Sequence, residues 1–409
     1  MAIRKLLAIA YRSVVRNGRR SALTALAVAL GLVVVMLMAG LIEGMVANSL
    51  ADNIRVRTGH LQIRNINYEV EKASLMAKDL LRDGETLALE AEALDGVESA
   101  APVLWTGGLL STPSESIGIE VVGINPEDAF HAPIREGIVA GEYLEPDDRG
   151  QILVGKVLAD QMELSVGQRV SLATSSTSGT GQEGVFTVAG LVDTGFPGID
   201  QNRVILPLAQ AQSFSGVGDR VSSLILMLQD QEQAENMAAQ FRGPDTQVET
   251  WRDLNGILLD SVEAGLVFYY VIYIIVFLTV AVIIANTLLM SVFERTREIG
   301  ILASLGMSGG QIMTLVLFEA IILAVFGVVV GLVLGMGAVS YMAVVGISLP
   351  VETASMIEGM AIGTTMKGGY APGQFVILSL LLLAVVAVVS LYPAWYAARL
   401  EPVEALHSL

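Results

Sequence analysis

The sequence predicts an α-helical membrane protein with four transmembrane helices and a large α+β domain inserted between the first and second of them. Three observations lead to this fold class. Hydrophobic residues make up 53 % of the 409-residue chain and charged residues only 16 %, which is too apolar for an ordinary soluble protein. Four apolar stretches have the length of about 20 residues that a helix needs to cross a bilayer. Between the first two stretches, short strand patterns alternate with short helical ones.

The first 20 residues form a basic segment that sets the predicted topology. They contain six basic side chains and no acidic one: Arg4, Lys5, Arg12, Arg16, Arg19 and Arg20. Because the cytoplasmic flanks of membrane helices are rich in Lys and Arg, we expect the N-terminus in the cytoplasm. Apolar residues at helical spacing within 1–20 predict an amphipathic helix along the inner membrane surface. A basic flank that only sets the topology is an equal alternative.

The predicted transmembrane helices are residues 21–46, 265–293, 311–345 and 375–394. The first is too long to be the apolar core of a cleaved signal peptide, which has about 7–15 residues. With the N-terminus inside, four crossings return the tail 395–409 to the cytoplasm and place the segment 294–310 there too. The domain 47–264 and the loop 346–374 then lie outside the cell membrane.

The domain at 47–264 is strongly acidic. It has 33 Asp and Glu against 14 Lys and Arg, a net charge of −19, whereas the rest of the chain is slightly basic. This charge argues against nucleic acid or anionic lipid headgroups as partners of the domain. Alternating or β-branched segments predict strands at 60–64, 117–122, 151–154, 169–173, 185–191, 203–206 and 222–228. Segments with apolar residues at helical spacing predict helices at 86–94, 157–162, 208–214 and 231–242. Without a strict strand–helix–strand repeat, this mixture predicts an α+β domain.

Residue types that usually carry catalysis are missing or scattered. The chain has no cysteine, and its three histidines, His60, His131 and His407, are too far apart in sequence to suggest a metal site. Residues 150–157 nearly match the phosphate-binding pattern G-x-x-x-x-G-K-[ST], but Val157 replaces the hydroxyl residue that holds Mg²⁺. A strand that turns into a helix explains this segment better. We therefore expect no catalytic residue, no bound metal and no ATP site in this chain.

Small and ionisable residues interrupt the predicted membrane helices. Gly327, Gly331 and Gly335 recur every four residues and give the third helix a smooth face for close packing against another helix. Glu319, two turns into the same helix, is a functional candidate because ionisable groups are costly at membrane depth. In the structural alternative, Glu319 reaches the interface or caps a polar group such as Asn286 of the second membrane helix.

The segment 294–310 has a charged start and an apolar end. Oppositely charged side chains three residues apart predict ion pairs that stabilise a short helix. Its apolar side chains fall on one face, so we expect the helix to fill a groove in a cytoplasmic partner. A glycine inside the helix allows close approach, and a second glycine ends it. The predicted coupling residues are Glu294, Arg295, Arg297, Glu298, Ile299, Gly300, Leu302, Leu305 and Gly306.

Two motifs resemble those of a known family. The pattern R-x-x-E-I-G-I-L-x-x-L-G, from Arg295 to Gly306, and the ending P-A-W-Y-A-A-R-L-E-P-V-E-A-L at 393–406 resemble the FtsX-like, MacB-like ABC transporter permeases. This family includes the macrolide exporter, the lipoprotein-releasing permeases and the cell-division permease. Residues 152–172 resemble the periplasmic core domain of the family. The resemblance covers essentially the whole chain. Among the members of the family, the lipoprotein-releasing permeases are nearest to this chain in length.

The resemblance implies a permease subunit in a bacterial inner membrane, with both termini in the cytoplasm. It implies a separate cytoplasmic ABC ATPase that uses ATP and Mg²⁺, a second permease copy or paralogue, and contact with membrane lipid. It also allows an accessory protein outside the membrane, whereas nucleic acid is not expected. In such systems the coupling helix passes the motion of the ATPases through the spans to the outer domain.

The resemblance leaves two functions open. One is the release or extrusion of a lipoprotein, a lipid-like molecule or a hydrophobic peptide. The alternative is a machine without transport that regulates a cell-wall hydrolase or senses antimicrobial peptides. A membrane enzyme is disfavoured, because the sequence offers no nucleophile, metal site or acid pair. Homodimer and heterodimer are both compatible with the sequence.

Overall fold

The computed structural model describes residues 3–70, 77–175, 181–348 and 365–400. The predicted loop 346–374 and tail 395–409 therefore lie partly outside the described residues. The chain divides into two compact units. The helical unit contains the described residues of Met1–Ala47, Ser261–Ser348 and Thr365–Leu409, and the inserted domain contains those of Asn48–Asp260.

Within the described residues, four helices are long and apolar enough to cross a membrane. They are α2 (Gly18–Asn53), α10 (Gly256–Glu294), α12 (Gly309–Val345) and α13 (Pro372–Ala398). Each extends beyond its predicted span, because hydropathy marks only the apolar part of a helix whose backbone hydrogen bonds continue into polar turns. Two shorter helices, α1 (Ile3–Arg16) and α11 (Thr296–Ser304), precede α2 and follow α10.

The helical unit has a core of its own. Leu32 and Met36 of α2, Ile284 of α10, Val328 of α12 and Leu382 of α13 are all buried in one apolar cluster. Each of these helices turns one face inward and leaves the rest of its apolar surface exposed. Helices that are apolar on both their buried and their exposed sides are typical of membrane spans.

The described part of the inserted domain is built on one ten-stranded sheet. In chain order the strands are β1 (Leu61–Asn65), β2 (Val97–Ser111), β3 (Ser116–Ile124), β4 (Ile138–Gly141), β5 (Gln151–Gly155), β6 (Arg169–Ser175), β7 (Gly181–Val192), β8 (Arg203–Pro207), β9 (Ser223–Leu228) and β10 (Thr246–Thr250). Their spatial order is β10-β1-β9-β2-β3-β8-β5-β7-β4, with β6 paired to β2 and β7. The β3–β8 and β5–β7 pairs are parallel and the other pairs are antiparallel. A pair of two-residue strands, β11 (Ile347–Ser348) and β12 (Thr365–Met366), belongs to the helical unit.

Short helices cover the sheet. They are α3 (Gly84–Glu92), α4 (Ala132–Glu136), α5 (Lys156–Gln161), α6 (Pro197–Asp200), α7 (Leu208–Ser215), α8 (Ala234–Phe241) and α9 (Trp251–Leu254). One apolar cluster includes Leu104, Ile152 and Leu226, and a second includes Val103, Leu153 and Ile225. Because neighbouring residues of a strand point to opposite faces, the two clusters are the two sides of the sheet.

Within the inserted domain, the end of α2 is tied to the segment before α10. A π-helical turn, Ile54–Thr58, leads from α2 towards β1. The side chain of Asn53 donates a hydrogen bond to Oδ1 of Asn255, with 2.5 Å between the two atoms. Asn255 separates α9 from α10, and its own amide donates to the carbonyl of Trp251 at 2.7 Å. The two chain segments that lead to the membrane helices are therefore held together at this point.

Candidate functional site

The predicted coupling segment forms a separate helix, α11. Arg295 has non-helical backbone angles and interrupts the path from α10 into α11. The hydroxyl of Thr296 donates back to the carbonyls of Val292 and Phe293, at 3.1 and 2.8 Å. Gly306, with a φ of +93°, lies just beyond the end of α11, in a conformation that glycine adopts without a steric penalty.

One face of α11 is anchored in the helical unit. Ile299 is only 6 % exposed and packs with Val292, Ile312, Val316 and Ala394. Gly300 is also buried, and Leu302 is half-buried. The prediction that Ile299, Leu302 and Leu305 together form a free docking face is therefore wrong for Ile299, because the short loop to α12 folds this side of α11 against the bundle.

The opposite face of α11 is exposed. Leu305 is 79 % exposed and Ile301 is 45 % exposed, and Arg297 is exposed one turn before Ile301. Residues four apart lie on the same side of a helix. The sequence interpretation missed Ile301; its spacing of four residues from both Arg297 and Leu305 was the signal that could have found it. We call Arg297, Ile301 and Leu305 the exposed face of α11.

Arg295 links three parts of the helical unit. Its Nη1 donates to Oε1 and Oε2 of Glu319 in α12, at 2.9 and 3.1 Å, and to the hydroxyl of Ser13 in α1, at 2.6 Å. Both charged side chains are largely buried. Glu319 therefore pairs with Arg295, and the sequence interpretation in which it caps Asn286 is wrong. Asn286 is exposed on α10.

Two further ion pairs join the start of the chain to the coupling segment. Glu298 receives hydrogen bonds from Nη2 of Arg16, at 2.6 and 2.7 Å, and from Nε of Arg295, at 2.9 Å. Glu294 pairs with Arg20 at 2.5 Å rather than with Arg297. The predicted pair between Arg295 and Glu298 is confirmed. The predicted pair between Glu294 and Arg297 is wrong, because the basic N-terminal segment approaches Glu294 instead.

The charges of this cluster stabilise one another. The hydrogen bond from Arg295 lowers the pKa of Glu298. Burial acts in the opposite direction, but a second hydrogen bond from Arg16 adds to the lowering, so the net pKa is below its ordinary value. Burial by itself would lower the pKa of Arg295, but Glu319 and Glu298 outweigh it, and the net shift is upward. Opposite charges at hydrogen-bonding distance favour the ionised form of each group. We call Arg16, Arg20, Glu294, Arg295, Glu298 and Glu319 the ion-pair cluster.

A small polar cavity lies beside the ion-pair cluster. It has a volume of about 30 Å³ and is lined by Ser13, Asn17, Arg20, Thr24, Ser291 and Glu319, among others. This is room for about two water molecules and not for an organic cofactor. Within the described residues, no group of three His, Asp or Glu side chains is arranged to hold a metal ion.

The partner of the glycine face on α12 is α2 of the same chain. A Cβ atom on Gly327 would lie 2.7 Å from the carbonyl oxygen of Ala25, and one on Gly331 would lie 3.0 Å from that of Ala29. On Gly335 it would meet the sulfur of Met36 at 2.7 Å. The three glycines therefore let the two backbones approach closely.

The segment that resembles a phosphate-binding loop is a strand followed by a helix. Gln151–Gly155 is β5, in the interior of the sheet, and Lys156 begins α5. The ammonium group of Lys156 pairs with Asp160 one turn later. A Cβ atom on Gly155 would lie 2.4 Å from the carbonyl oxygen of Asp200. The close approach of the backbone at Asp200 therefore explains why a glycine lies at position 155.

Two family models of known proteins match the chain, and together they cover both units. The model of the MacB-like periplasmic core domain matches residues 21–243, and that of the FtsX-like permease C-terminal domain matches residues 270–402. The chain is 26 % identical over 351 residues to the lipoprotein-releasing system transmembrane protein LolC of Neisseria meningitidis, covering 79 % of this chain and 81 % of that protein. It is 33 % identical over 123 residues to the macrolide export protein MacB of Syntrophobacter fumaroxidans, covering 30 % and 15 % of the two chains. The crystal structure of the periplasmic region of MacB from Actinobacillus actinomycetemcomitans covers 51 % of this chain and 97 % of its own, with a TM-score of 0.37 and 13 % identity.

Proposed function

The chain belongs to the FtsX-like permeases with a MacB-like periplasmic core domain, and we propose that a separate cytoplasmic ATPase drives it to release or extrude a lipid-linked cargo. The chain itself then hydrolyses nothing and binds neither ATP nor Mg²⁺. Its part is mechanical, since it receives a movement on one side of the membrane and delivers it on the other.

The observation that carries this proposal is the two-sided environment of α11. Its exposed face, with Ile301 and Leu305, offers apolar contacts to a partner, while Ile299 on the other side is packed into the bundle. A short helix that docks its apolar face in a groove is a common mode of protein recognition. Because Arg295 and Glu298 bond to α12 and α1, a push on α11 reaches both of these helices.

The charge of the N-terminal segment supports a cytoplasmic position for α11. Arg16 and Arg20 pair with Glu298 and Glu294, so α11 lies at the same end of the helical unit as α1. By the positive-inside rule this basic end faces the cytoplasm, where ATP is available. The inserted domain then lies outside the inner membrane of a bacterial cell.

Continuous helices provide the route for the movement. Both α2 and α10 contribute residues to the helical unit and to the inserted domain. Within the inserted domain, the hydrogen bond between Asn53 and Asn255 ties these two segments to each other. We therefore expect the two helices to move the inserted domain as a pair rather than independently.

The cargo is proposed from the relatives. LolC is named for a lipoprotein-releasing system, so a lipid-anchored protein at the outer leaflet is the first substrate to test. The acidic surface of the inserted domain favours contact with water, because its negative charge repels anionic headgroups. In vesicles containing the chain and its ATPase, ATP-dependent release of a lipoprotein would support transport. Activation of a cell-wall hydrolase without release would support the regulatory alternative.

The coupling assignment is tested by removing the two apolar side chains of the exposed face. We expect Ile301→Ser with Leu305→Ser to abolish co-purification of the ATPase and to leave the thermal unfolding midpoint unchanged. Leu89→Ser is the matched control, because Leu89 is also an exposed leucine on a helix but lies in the inserted domain. If the double variant retains the ATPase as well as the control does, α11 is not the coupling helix.

A further inference from the structure

Helix α1 exposes a second apolar side besides the one that packs on the bundle. Leu6, Ala10 and Ser13 are buried, and α1 packs against α12. Another set of apolar side chains, spaced four residues apart, is 48–69 % exposed: Ile3, Leu7, Tyr11 and Val15. Residues four apart lie on one side of a helix. We call these four residues the apolar row of α1.

Basic side chains border the apolar row on the side away from the bundle. Successive residues of an α-helix are about 100° apart, so the row spans about 120° of the helix circumference. Lys5 and Arg12 follow about 60–80° beyond Val15, whereas Leu6 lies beyond the other edge of the row. Arg4 lies within the row, at its N-terminal end. All three basic side chains are exposed, and the first 20 residues contain no acidic one.

A lipid surface fits both the apolar row and its basic border. Only Asn17 separates α1 from α2, so α1 begins where a membrane helix begins. A helix with one apolar side and a basic border lies in the membrane interface, with its apolar side buried about 5–10 Å. The cytoplasmic leaflet carries anionic phospholipids and a negative surface potential. The charge of α1 is complementary to that surface.

We propose that α1 is a binding site for anionic phospholipids of the cytoplasmic leaflet, with the apolar row among the acyl chains and Arg4, Lys5 and Arg12 at the phosphate groups. Arginine binds phosphate oxygens through its forked donors, and lysine binds them as a point charge. The site selects lipids by charge, which the orientation of an amphipathic helix alone does not require. It rests on the proposed function only in placing α1 on the cytoplasmic side.

The lipid site is separate from the ion-pair cluster but lies on the same helix. Ser13 and Arg16 of α1 bond to Arg295 and Glu298 at the coupling segment, whereas Arg4, Lys5 and Arg12 are not members of the cluster. A lipid that holds α1 in place therefore also holds one support of α11. Substitutions in the lipid site leave the contacts of that support intact.

The first test measures the depth of the two sides of α1. The chain has no cysteine, so Tyr11→Cys and Arg12→Cys each give one site for a fluorescent label. The full chain is reconstituted without the ATPase into vesicles of phosphatidylcholine and phosphatidylglycerol. We expect quenchers on the acyl chains to act more strongly at position 11, and aqueous iodide to act more strongly at position 12.

Two outcomes of this measurement overturn the proposal. Equal quenching at positions 11 and 12 would show that the apolar row is not in the membrane. Protection of position 11 from iodide only after the ATPase is added would show that the row binds a protein instead of lipid.

The second test measures the preference for anionic lipid. Energy transfer from the label at position 11 reports how closely trace amounts of headgroup-labelled phosphatidylglycerol or phosphatidylcholine approach α1. Each Lys or Arg near an anionic surface contributes about 1 kcal/mol, or about a 5-fold change in binding. We therefore expect phosphatidylglycerol to be preferred at least about 5-fold. The triple variant Arg4→Gln, Lys5→Gln and Arg12→Gln should lose most of this preference.

A matched variant controls for the loss of three positive charges. Arg82→Gln with Arg149→Gln and Arg169→Gln removes three exposed arginines from the inserted domain, and it should keep the preference. Arg16, Arg19 and Arg20 remain in both triple variants and keep the basic flank of α2 that sets its orientation. Equal loss in the two triple variants would overturn the proposal. A preference that persists without Arg4, Lys5 and Arg12 would reduce these residues to a topology signal and overturn it too.

Neither the depth of α1 nor its lipid preference requires the ATPase. An ATPase complex formed by a chain without lipid preference would therefore contradict this inference alone. Lipid preference in a chain that binds no ATPase would contradict the coupling assignment alone.

Discussion

Arg295 and Glu319 form an ion pair between the start of α11 and the interior of α12, with 2.9 and 3.1 Å between Nη1 and the two carboxylate oxygens. Charged groups are costly in the interior of a helix bundle, and each of these neutralises the other. The pair fixes α11 to one of the helices that cross the membrane. A movement of α11 is therefore difficult without a movement of α12.

Glu319→Gln should destabilise the protein strongly. The substitution keeps the shape of the side chain but leaves the buried guanidinium of Arg295 with only Glu298 as an acidic partner. Removing one member of a buried ion pair costs up to about 3–5 kcal/mol. We expect a lower thermal unfolding midpoint in detergent. The double variant Glu319→Gln with Arg295→Gln should recover part of the loss, and failure to recover would contradict a charge effect.

Arg16→Ala should have a much smaller effect on stability. Arg16 and Glu298 are both well exposed in their ion pair, and exposed pairs contribute about 0–1 kcal/mol. Glu298 also keeps its bond to Arg295. We expect an unfolding midpoint close to that of the unmodified protein at 0.15 M salt. A loss as large as that of Glu319→Gln would show that α1 has a larger structural role than this contact indicates.

Gly327→Ala should destabilise the helical unit. The new methyl group would lie 2.7 Å from both the carbonyl oxygen of Ala25 and Cβ of Val28, so α2 and α12 must move apart. Overpacking of this kind costs about 1–3 kcal/mol. Gly337→Ala in the same helix is the control, because a Cβ atom there meets nothing within 4 Å. Equal unfolding midpoints for the two variants would rule out close packing as the role of the glycines.

Asp128 should make the inserted domain less stable as the pH rises. Burial, followed by the charge of Glu92, raises the pKa of Asp128 to about 7. Its Oδ1 accepts a hydrogen bond from Asn125 at 2.8 Å, whereas its buried Oδ2 has no partner among the described residues. The folded state therefore favours the neutral acid. This contribution to stability is complete below the unfolded-state pKa of about 3.9 and is lost as the pH rises through about 7.

The experiment for Asp128 compares it with an uncharged analogue. Asp128→Asn is neutral at every pH, so its unfolding midpoint should fall less than that of the unmodified protein between pH 4.5 and pH 8. All other groups titrate in both proteins and cancel in the comparison. Parallel curves over this range would show that Asp128 ionises normally in the folded protein.

Seven of the ten described strands of the inserted domain could be predicted from local pattern, and β2, β4 and β10 could not. All seven predicted strands correspond to strands of the sheet, because turn residues delimit each of them. The longest strand, β2, was not predicted. It contains Pro102 and the pair Gly107 and Gly108, which normally argue against a strand. Its first half is buried almost continuously, so the alternation that identifies a strand is absent.

The coupling segment was likewise predicted only in part. Its charges and the glycine at 306 predicted a short helix correctly, because helix formation and termination depend on neighbours a few residues away. Which face of the helix is exposed depends on the loop to α12 and on the residues packed around Ile299. A helical wheel alone does not contain that information.

The sequence by itself determined that four helices are long and apolar enough to span a membrane, that an α+β domain interrupts them, and that the chain belongs to its permease family. These are properties of composition, length and short motifs. Only the tertiary structure decided the ion-pair partners, since Arg16 and Glu298 are separated by 282 positions in the sequence. It also decided that Ile301 and Leu305 are exposed while Ile299 is buried, and that Asn286 has no hydrogen-bond partner among the described residues. Contacts between distant residues depend on how the helices pack. The pattern of apolar and polar residues in the sequence specifies only which residues favour burial.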